Sequence, residues 1–130
     1  SYDTLEGMVG YGEQLVQKLE LPYRVMKLCG GDLGAAATLT YDIEVYAPAQ
    51  DKWLEVSSIS NFEDYQANRL KLRFKDGSKQ TRLAHTLNGS ALAFPRLLAA
   101  MLENYQSDDG TAINIPEALA KYTGFEEIKS

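Results

Sequence analysis

Two stretches of alternating residues near the middle of the chain constrain its fold more than any other feature. In "TYDIEVYAP", the apolar side chains of Tyr41, Ile43 and Val45 alternate with polar or acidic ones, and a proline ends the run. Successive side chains of a β-strand point to opposite faces, so this pattern predicts a strand with one apolar and one acidic face. The run "KWLEVSSIS" has the same period and predicts a second strand.

Regular alternation in the second run divides its side chains between two faces. It places Trp53, Glu55, Ser57 and Ile59 on one side and Leu54, Val56 and Ser58 on the other. Ser58 is then expected at the end of the strand. A carboxylate and a hydroxyl held on rigid strands are hard oxygen ligands of the kind that Mg²⁺ accepts beside phosphate oxygens. On the pattern alone, a solvated strand edge is the commoner explanation.

The rest of the chain supplies helices around these strands. A first helix is expected near the N-terminus, capped by Asp3 or Thr4, because apolar residues recur there at helical spacing: Leu5, Met8, Val9, Leu15, Val16 and Leu19. The pair Asp76-Gly77 predicts a hairpin between two strands. The order of helix, antiparallel strands and long helix indicates the α+β class, built on a mostly antiparallel sheet.

The long helix follows Asn88, Gly89 and Ser90. We expect Asn88 or Ser90 to cap it and Pro95 to occupy its first turn. Its apolar residues are so little interrupted that burial on most sides is expected; they are Leu92, Phe94, Leu97, Leu98, Met101 and Leu102. Arg96 brings a planar cation that suits phosphate. A helix cap with an arginine lying along the surface is the simpler interpretation.

Composition narrows the classes of function. A length of 130 residues suits one domain, no apolar run is long enough to cross a bilayer, and a net charge of −5 argues against a nucleic-acid footprint over the whole surface. A single cysteine, Cys29, and a single histidine, His85, exclude an internal disulfide and a Cys/His metal site. We expect a reducing, cytoplasmic setting, a buried Cys29 and a structural His85.

A basic run follows the strands. Strand alternation predicts that Arg69, Lys71, Arg73 and Lys75 share one side of "NRLKLRFK". Such a stripe is either a solvated hairpin face or a contact for nucleic-acid phosphate, and the pattern leaves both open.

Several segments in register resemble one family. They are "GDLG", "TYD-EV", "PAQ", "E-SS-SN", "D-QA-R", "HTLNGS-LA--R" and "LENYQ--DG---IPE-L", and together they resemble the C-terminal part of the catalytic domain of bacterial seryl-tRNA synthetases. The resemblance implies a class II synthetase fold, an antiparallel sheet flanked by helices. It also implies the family's activity, in which ATP and Mg²⁺ activate L-serine to seryl adenylate and the seryl group passes to tRNA(Ser) in the cytoplasm.

The resemblance assigns roles to individual residues. It makes Arg96 the arginine that holds the ATP γ-phosphate, and it makes Glu55 and Ser58 the ligands of Mg²⁺. Val56 and Ser57 would line the nucleotide, and Ser90 would contact substrate serine with Asn88 nearby. Glu55 and Arg96 are thus the expected catalytic residues.

The resemblance also implies other parts that the sequence does not contain. The family's dimer-forming first motif, its second motif and its tRNA-binding helical arm have no match in residues 1–130. We therefore expect one domain that is a C-terminal fragment of a homodimeric enzyme, inactive in isolation and entered partway without a signal peptide. The alternative is a non-catalytic synthetase-like domain that serves nucleotide binding or assembly.

Overall fold

The computed structural model of this protein describes residues 1–129. Four helices and eight strands occur there: α1 Tyr2–Lys18, β1 Tyr23–Lys27, β2 Leu39–Ala47, β3 Lys52–Asn61, α2 Tyr65–Leu70, β4 Arg73–Lys75, β5 Thr81–Leu83, β6 Leu87–Gly89, α3 Phe94–Asn104, β7 Ala112–Asn114, α4 Glu117–Thr123 and β8 Glu127–Lys129. This composition confirms the α+β class. None of these helices is both long and apolar enough to span a lipid bilayer.

An antiparallel sheet of four strands forms the centre of the fold, in the order β1-β2-β3-β6. Two small hairpins, β4-β5 and β7-β8, lie outside it. The first of them turns at Asp76-Gly77, as the sequence predicts, and the Asp76 carboxylate accepts the backbone N–H groups of Ser78 and Gln80 there. Those hydrogen bonds close the turn.

Helices α1 and α3 cover one face of this sheet, here called the apolar face. Ile43 and Val45 have no exposed surface, which confirms the alternation expected for β2. Leu97 and Ala100 of α3 belong to the same buried cluster as residues of α1 and the sheet: Leu5, Val9, Val16, Ile43, Val45, Val56 and Ile59. The opposite side of the sheet is here called the polar face and carries Thr40, Asp42, Glu44, Ser58 and Ser60.

The faces expected for β3 are wrong, because the strand contains a β-bulge. Asp42 pairs with Ser58 and Ile43 with Ser57, but Glu44 pairs with Glu55, so Val56 is an extra residue. An extra residue shifts the alternation by one position. Glu55 and Ser58 consequently share the polar face, while Ser57 lies on the apolar side. Ser58 is also not terminal, since β3 continues to Asn61.

The helix ends differ from the expected ones too. Ser1 occupies the N-cap position of α1, ahead of Asp3 and Thr4. Ala93 occupies that of α3, with Pro95 in the first turn as expected. Asn88 and Ser90 do not cap α3, because Asn88 lies within β6 and residues 91 and 92 separate Ser90 from the N-cap position.

The expected burial of α3 on most sides is wrong. Phe94 is 80 % exposed and Leu98 is 54 % exposed. Both line an open apolar groove of about 1290 Å³ between α3, the end of α1 and α4. Helix α3 therefore buries one stripe against the sheet and leaves a second apolar stripe open within residues 1–129.

Two glycines of α1 provide a matched test of this packing. A Cβ at Gly12 would stand 2.6 Å from Cδ1 of the buried Ile43, whereas a Cβ at Gly10 would have no neighbour within 4 Å. Alanine has a higher helix propensity than glycine, so we expect Gly10→Ala to raise the free energy of unfolding by up to about 1 kcal/mol. Gly12→Ala should instead lower the free energy of unfolding, because the added methyl group overpacks the core. We expect its value to lie about 1–3 kcal/mol below that of Gly10→Ala. Urea denaturation measures both, and equal values would contradict the packing of α1 on Ile43.

Candidate functional site

The polar face brings together small hydroxyl, amide and acidic side chains from three strands. Thr40 pairs with Ser60, Asp42 with Ser58, and Ser60 in turn with Asn88 on β6. The hydroxyl oxygens of Thr40 and Ser60 are 2.7 Å apart and share a hydrogen bond. Groups of this kind bind polar ligands and oxygen-coordinated cations, so this face is the candidate functional site.

The bulge connects the polar face to the segment that precedes α3. The backbone N–H of Leu92 donates to the Ser57 hydroxyl at 3.2 Å, and that of Ala93 donates to the Val56 carbonyl at 2.6 Å. Leu92 has a φ of 42°, which is uncommon for a residue other than glycine. These two hydrogen bonds hold the strained turn in place and fix where α3 begins.

Ser90 lies beside Ser58 at the edge of β3. Its hydroxyl accepts the backbone N–H of Ser58 at 3.0 Å, and its own N–H donates to the Ser58 carbonyl at 3.1 Å. Ser90 thus continues the hydrogen bonding between β6 and β3 by one residue, partly through its side chain. It remains exposed, so it is also accessible to a ligand on this edge.

Arg96 reaches from the first turn of α3 back to β3. One of its terminal nitrogens donates to the Glu55 carbonyl oxygen at 3.0 Å and lies 3.7 Å from the Glu55 carboxylate. Both side chains are about half exposed, so this ion pair contributes little to stability. Its consequence is positional, since it holds a guanidinium next to a carboxylate at the rim of the polar face.

Asp42 is a candidate that the sequence reasoning missed. It is 7 % exposed, and its Oδ1 atom is buried without a hydrogen-bond partner among the described residues. The acidic side of "TYDIEVYAP" is visible in the sequence. What the sequence does not show is that Ser58 is the residue opposite Asp42, because that pairing depends on the bulge.

The single histidine and the single cysteine are not part of this face. His85 Nδ1 is 2.8 Å from the Ser1 hydroxyl, which fits the structural role expected for it. Cys29 is exposed, so its expected burial is wrong. Within residues 1–129 no three His, Cys, Asp or Glu side chains cluster as a metal site.

The basic stripe is not a single strand face. Arg69 belongs to α2, where its guanidinium lies 3.5 Å from the centre of the Tyr65 ring, and Lys71 ends that helix with a φ of 55°. Only Arg73 and Lys75 belong to β4. The predicted row of four side chains is therefore broken by the helix end.

Two carboxylates in turns, Asp109 and Asp76, have lowered pKa values. Hydrogen bonds from the Ser107 hydroxyl and from Thr111 lower the pKa of Asp109 to about 2. The Ser78 hydroxyl, with Arg82, lowers the pKa of Asp76. Both acids stabilise their turns in the ionised form, and this contribution is lost as the pH falls below the ordinary carboxyl range toward the lowered values.

Comparison with known proteins supplies a family for this geometry. Residues 1–105 match the family model of the tRNA synthetase class II core domain (G, H, P, S and T). The chain is 59 % identical over 124 residues to a serine–tRNA ligase of Neisseria meningitidis, covering 95 % of this chain and 28 % of the relative. It is 56 % identical over 128 residues to that of Hydrogenovibrio crunogenus, covering 98 % and 30 %.

Solved structures agree with this similarity. The fold superimposes on seryl-tRNA synthetase from Pyrococcus horikoshii complexed with ATP, with a TM-score of 0.92, 48 % identity and coverage of 99 % of this chain and 29 % of that one. It also matches a cytoplasmic serine–tRNA ligase of Naegleria fowleri in complex with AMP, with a TM-score of 0.89, 33 % identity and coverage of 98 % and 31 %. The chain thus spans less than a third of the length of these relatives.

Proposed function

Because the chain belongs to the family of class II tRNA synthetase core domains, we propose that it forms one wall of the active site of a serine–tRNA ligase. The observation that carries this proposal is the bulge in β3. It places Glu55 and Ser58 on one face, with Arg96 against Glu55, in a chain 59 % identical to a named serine–tRNA ligase. The relatives give no support to the alternative of a domain that only binds or assembles.

In the proposed reaction, the carboxylate of L-serine attacks the α-phosphorus of ATP and pyrophosphate leaves. A terminal ribose hydroxyl of tRNA(Ser) then takes the seryl group from the adenylate, and AMP leaves. The similarity to synthetases in complex with ATP and with AMP supports nucleotide binding here. No residue of the polar face acts as a covalent nucleophile in this scheme. The wall contributes positioning and charge stabilisation, which account for most of the acceleration in phosphoryl transfer.

Arg96 is the proposed ligand of the ATP γ-phosphate. A guanidinium binds phosphate oxygens with two parallel hydrogen bonds, and its half-exposed position leaves it accessible to a nucleotide. Its hydrogen bond to the Glu55 carbonyl orients it before the nucleotide arrives. Val56 and Ser57 are buried, so we propose that they shape the nucleotide site through the backbone of the bulge.

The donor set of the polar face fits Mg²⁺. Glu55 offers a partly exposed carboxylate and Ser58 a hydroxyl on the same face, and the unpartnered Asp42 oxygen adds negative charge beside them. A bound Mg²⁺ would neutralise charge on the phosphate oxygens. Glu55 and Ser58 are the residues that would hold it.

We place Ser90 and Asn88 in the serine pocket, at the edge of the sheet. In Ser90→Ala we expect the KM for serine to rise about tenfold and the KM for ATP to change less than twofold, because a pocket group that hydrogen-bonds a hydroxyl acts on one substrate only. Steady-state pyrophosphate exchange measures both constants. Equal increases would mean that Ser90 serves only its contact with the Ser58 backbone.

The remaining assignments concern the complete protein. We propose that this chain is the C-terminal part of the catalytic domain of a homodimeric, cytoplasmic enzyme. The other wall of the active site then lies outside the segment that the relatives share with this chain. On this proposal the chain alone has no appreciable activity.

A chimaeric ligase tests the proposal. In it, this chain replaces the matching 124-residue segment of the Neisseria meningitidis relative. We expect serine-dependent ATP–pyrophosphate exchange within about tenfold of the parental ligase, a margin that corresponds to about 1.4 kcal/mol of barrier. The isolated chain should show none. A folded but inactive chimaera, or full activity of the isolated chain, would overturn the proposal.

A further inference from the structure

The burial of Asp42 without a partner for its Oδ1 atom is not explained by the stability of the fold. Its side chain is more than nine-tenths buried, and Oδ1 accepts no hydrogen bond among the described residues. A buried carboxylate oxygen that has lost its water and gained no donor destabilises the folded state. Such a group calls for a donor or a positive charge that arrives with a ligand.

The neighbours of Asp42 in the sheet do not supply that charge. Its partner on β1 is Met26 and its partner on β3 is Ser58, and neither is a cation. Arg24, the cation of β1 on the same face, donates instead to the Glu44 carboxylate. A cation bound on this face would therefore meet an acidic group with no competing partner.

We propose that Asp42 is a positioning residue for the divalent cation, and that it acts through Ser58. Side chains of directly opposed residues on one face of an antiparallel pair have Cβ atoms about 4.5–5.5 Å apart, which is within reach of a hydrogen bond between a serine and an aspartate. On cation binding, the Ser58 hydroxyl turns its hydrogen toward the Asp42 Oδ1 atom, which has no other donor among the described residues, so that the lone pairs of the Ser58 oxygen are available to the cation. This inference rests on the proposed function, in which Glu55 and Ser58 are the ligands.

Burial distinguishes this role from direct coordination through Oδ1. The Oδ1 atom has almost no accessible surface, whereas Ser58 is partly exposed on the polar face. A cation arriving with its water shell reaches Ser58 first. Partners that hydrogen-bond to metal ligands orient those ligands and raise their basicity, and their removal typically weakens metal binding 10–100-fold.

The experiment measures Mn²⁺ binding to the chimaeric ligase by electron paramagnetic resonance, with ATP present and serine absent so that no turnover occurs. We expect Asp42→Ala to weaken Mn²⁺ binding about tenfold and Ser58→Ala to weaken it at least as much. The double variant should bind no more weakly than Ser58→Ala, because Asp42 acts through Ser58. Additive losses, or unchanged affinity in Asp42→Ala, would overturn the inference.

The stability of Asp42→Ala distinguishes the proposed role from a purely structural one, because the two roles predict opposite changes in the urea midpoint. Removing an unpartnered buried carboxylate should leave the urea midpoint of the metal-free protein unchanged or higher. A lower midpoint with unaltered Mn²⁺ affinity would assign Asp42 to folding alone. Asp42→Asn keeps an acceptor oxygen and should retain part of the affinity, and it replaces the alanine variant if that variant does not fold.

Two controls separate this inference from the proposed function. Glu44→Gln changes a carboxylate on the same strand that is already paired with Arg24, so Mn²⁺ binding should be unaltered. Glu55→Ala removes the proposed ligand itself. If Glu55→Ala leaves Mn²⁺ affinity unchanged, the proposed site fails; if it weakens binding while Asp42→Ala does not, only the role of Asp42 fails.

Discussion

Replacing Arg96 with alanine in the chimaeric ligase is expected to slow serine-dependent ATP–pyrophosphate exchange by about 100- to 1000-fold, or about 2.7–4 kcal/mol of barrier. The guanidinium is the one cation that the structure places against Glu55 at the rim of the polar face, among the residues described. Its loss removes a fixed positive charge from the phosphate region. Exchange kinetics at saturating serine measure the effect.

Two further variants sharpen this prediction. Arg96→Lys keeps the charge but loses the planar pair of donors, so an intermediate rate is expected. Arg73→Ala changes an exposed arginine of β4, away from the polar face, and should leave exchange unaltered. An Arg96→Ala rate within twofold of the unmodified chimaera would remove Arg96 from the site.

Replacing Glu55 with glutamine is expected to slow the same exchange by about 100-fold at millimolar Mg²⁺ and to raise the Mg²⁺ concentration needed for half-maximal rate. The substitution keeps the shape of the side chain but removes the negative charge that a hard divalent cation prefers. Its backbone carbonyl still accepts the hydrogen bond from Arg96, so that contact remains. A titration of exchange rate against Mg²⁺ measures both quantities.

Glu44 provides the matched control for Glu55. The two residues are direct neighbours across β2 and β3, but Glu44 is paired with Arg24. Glu44→Gln should therefore leave the Mg²⁺ dependence of exchange unaltered. If both variants shift it equally, the general negative charge of the face is responsible and Glu55 has no specific role.

Much of the fold follows from local pattern. The alternation of Ile43 and Val45 predicts β2, because a strand with one buried face needs apolar residues at every second position. Asp76-Gly77 predicts its hairpin through turn chemistry, and Pro95 predicts the first turn of α3 through its fixed φ. Each of these signals acts over a few residues, so the sequence alone is sufficient for it.

The arrangement of the site does not follow from local pattern. Val56 and Ser57 are consecutive and both buried, and no rule based on a period of two predicts that. The extra residue is visible only when β3 is paired with β2, and with it the match of Ser58 to Asp42. The exposed side of α3 does not follow from the sequence for a related reason. Apolar residues around a helix predict that its sides are buried, but they do not identify the element that covers each side.

The same bulge has a mechanical consequence. Val56 and Ser57 hold the turn at Leu92 and Ala93, and Glu55 holds Arg96. Three hydrogen bonds to three consecutive strand residues thus connect the strand, the turn and the start of the helix. A force on the guanidinium is transmitted directly to the strand that carries the proposed cation ligands. This part of the sheet therefore resists deformation as one block. If the proposed site is correct, closure over the substrates requires movement of other parts of the enzyme toward it.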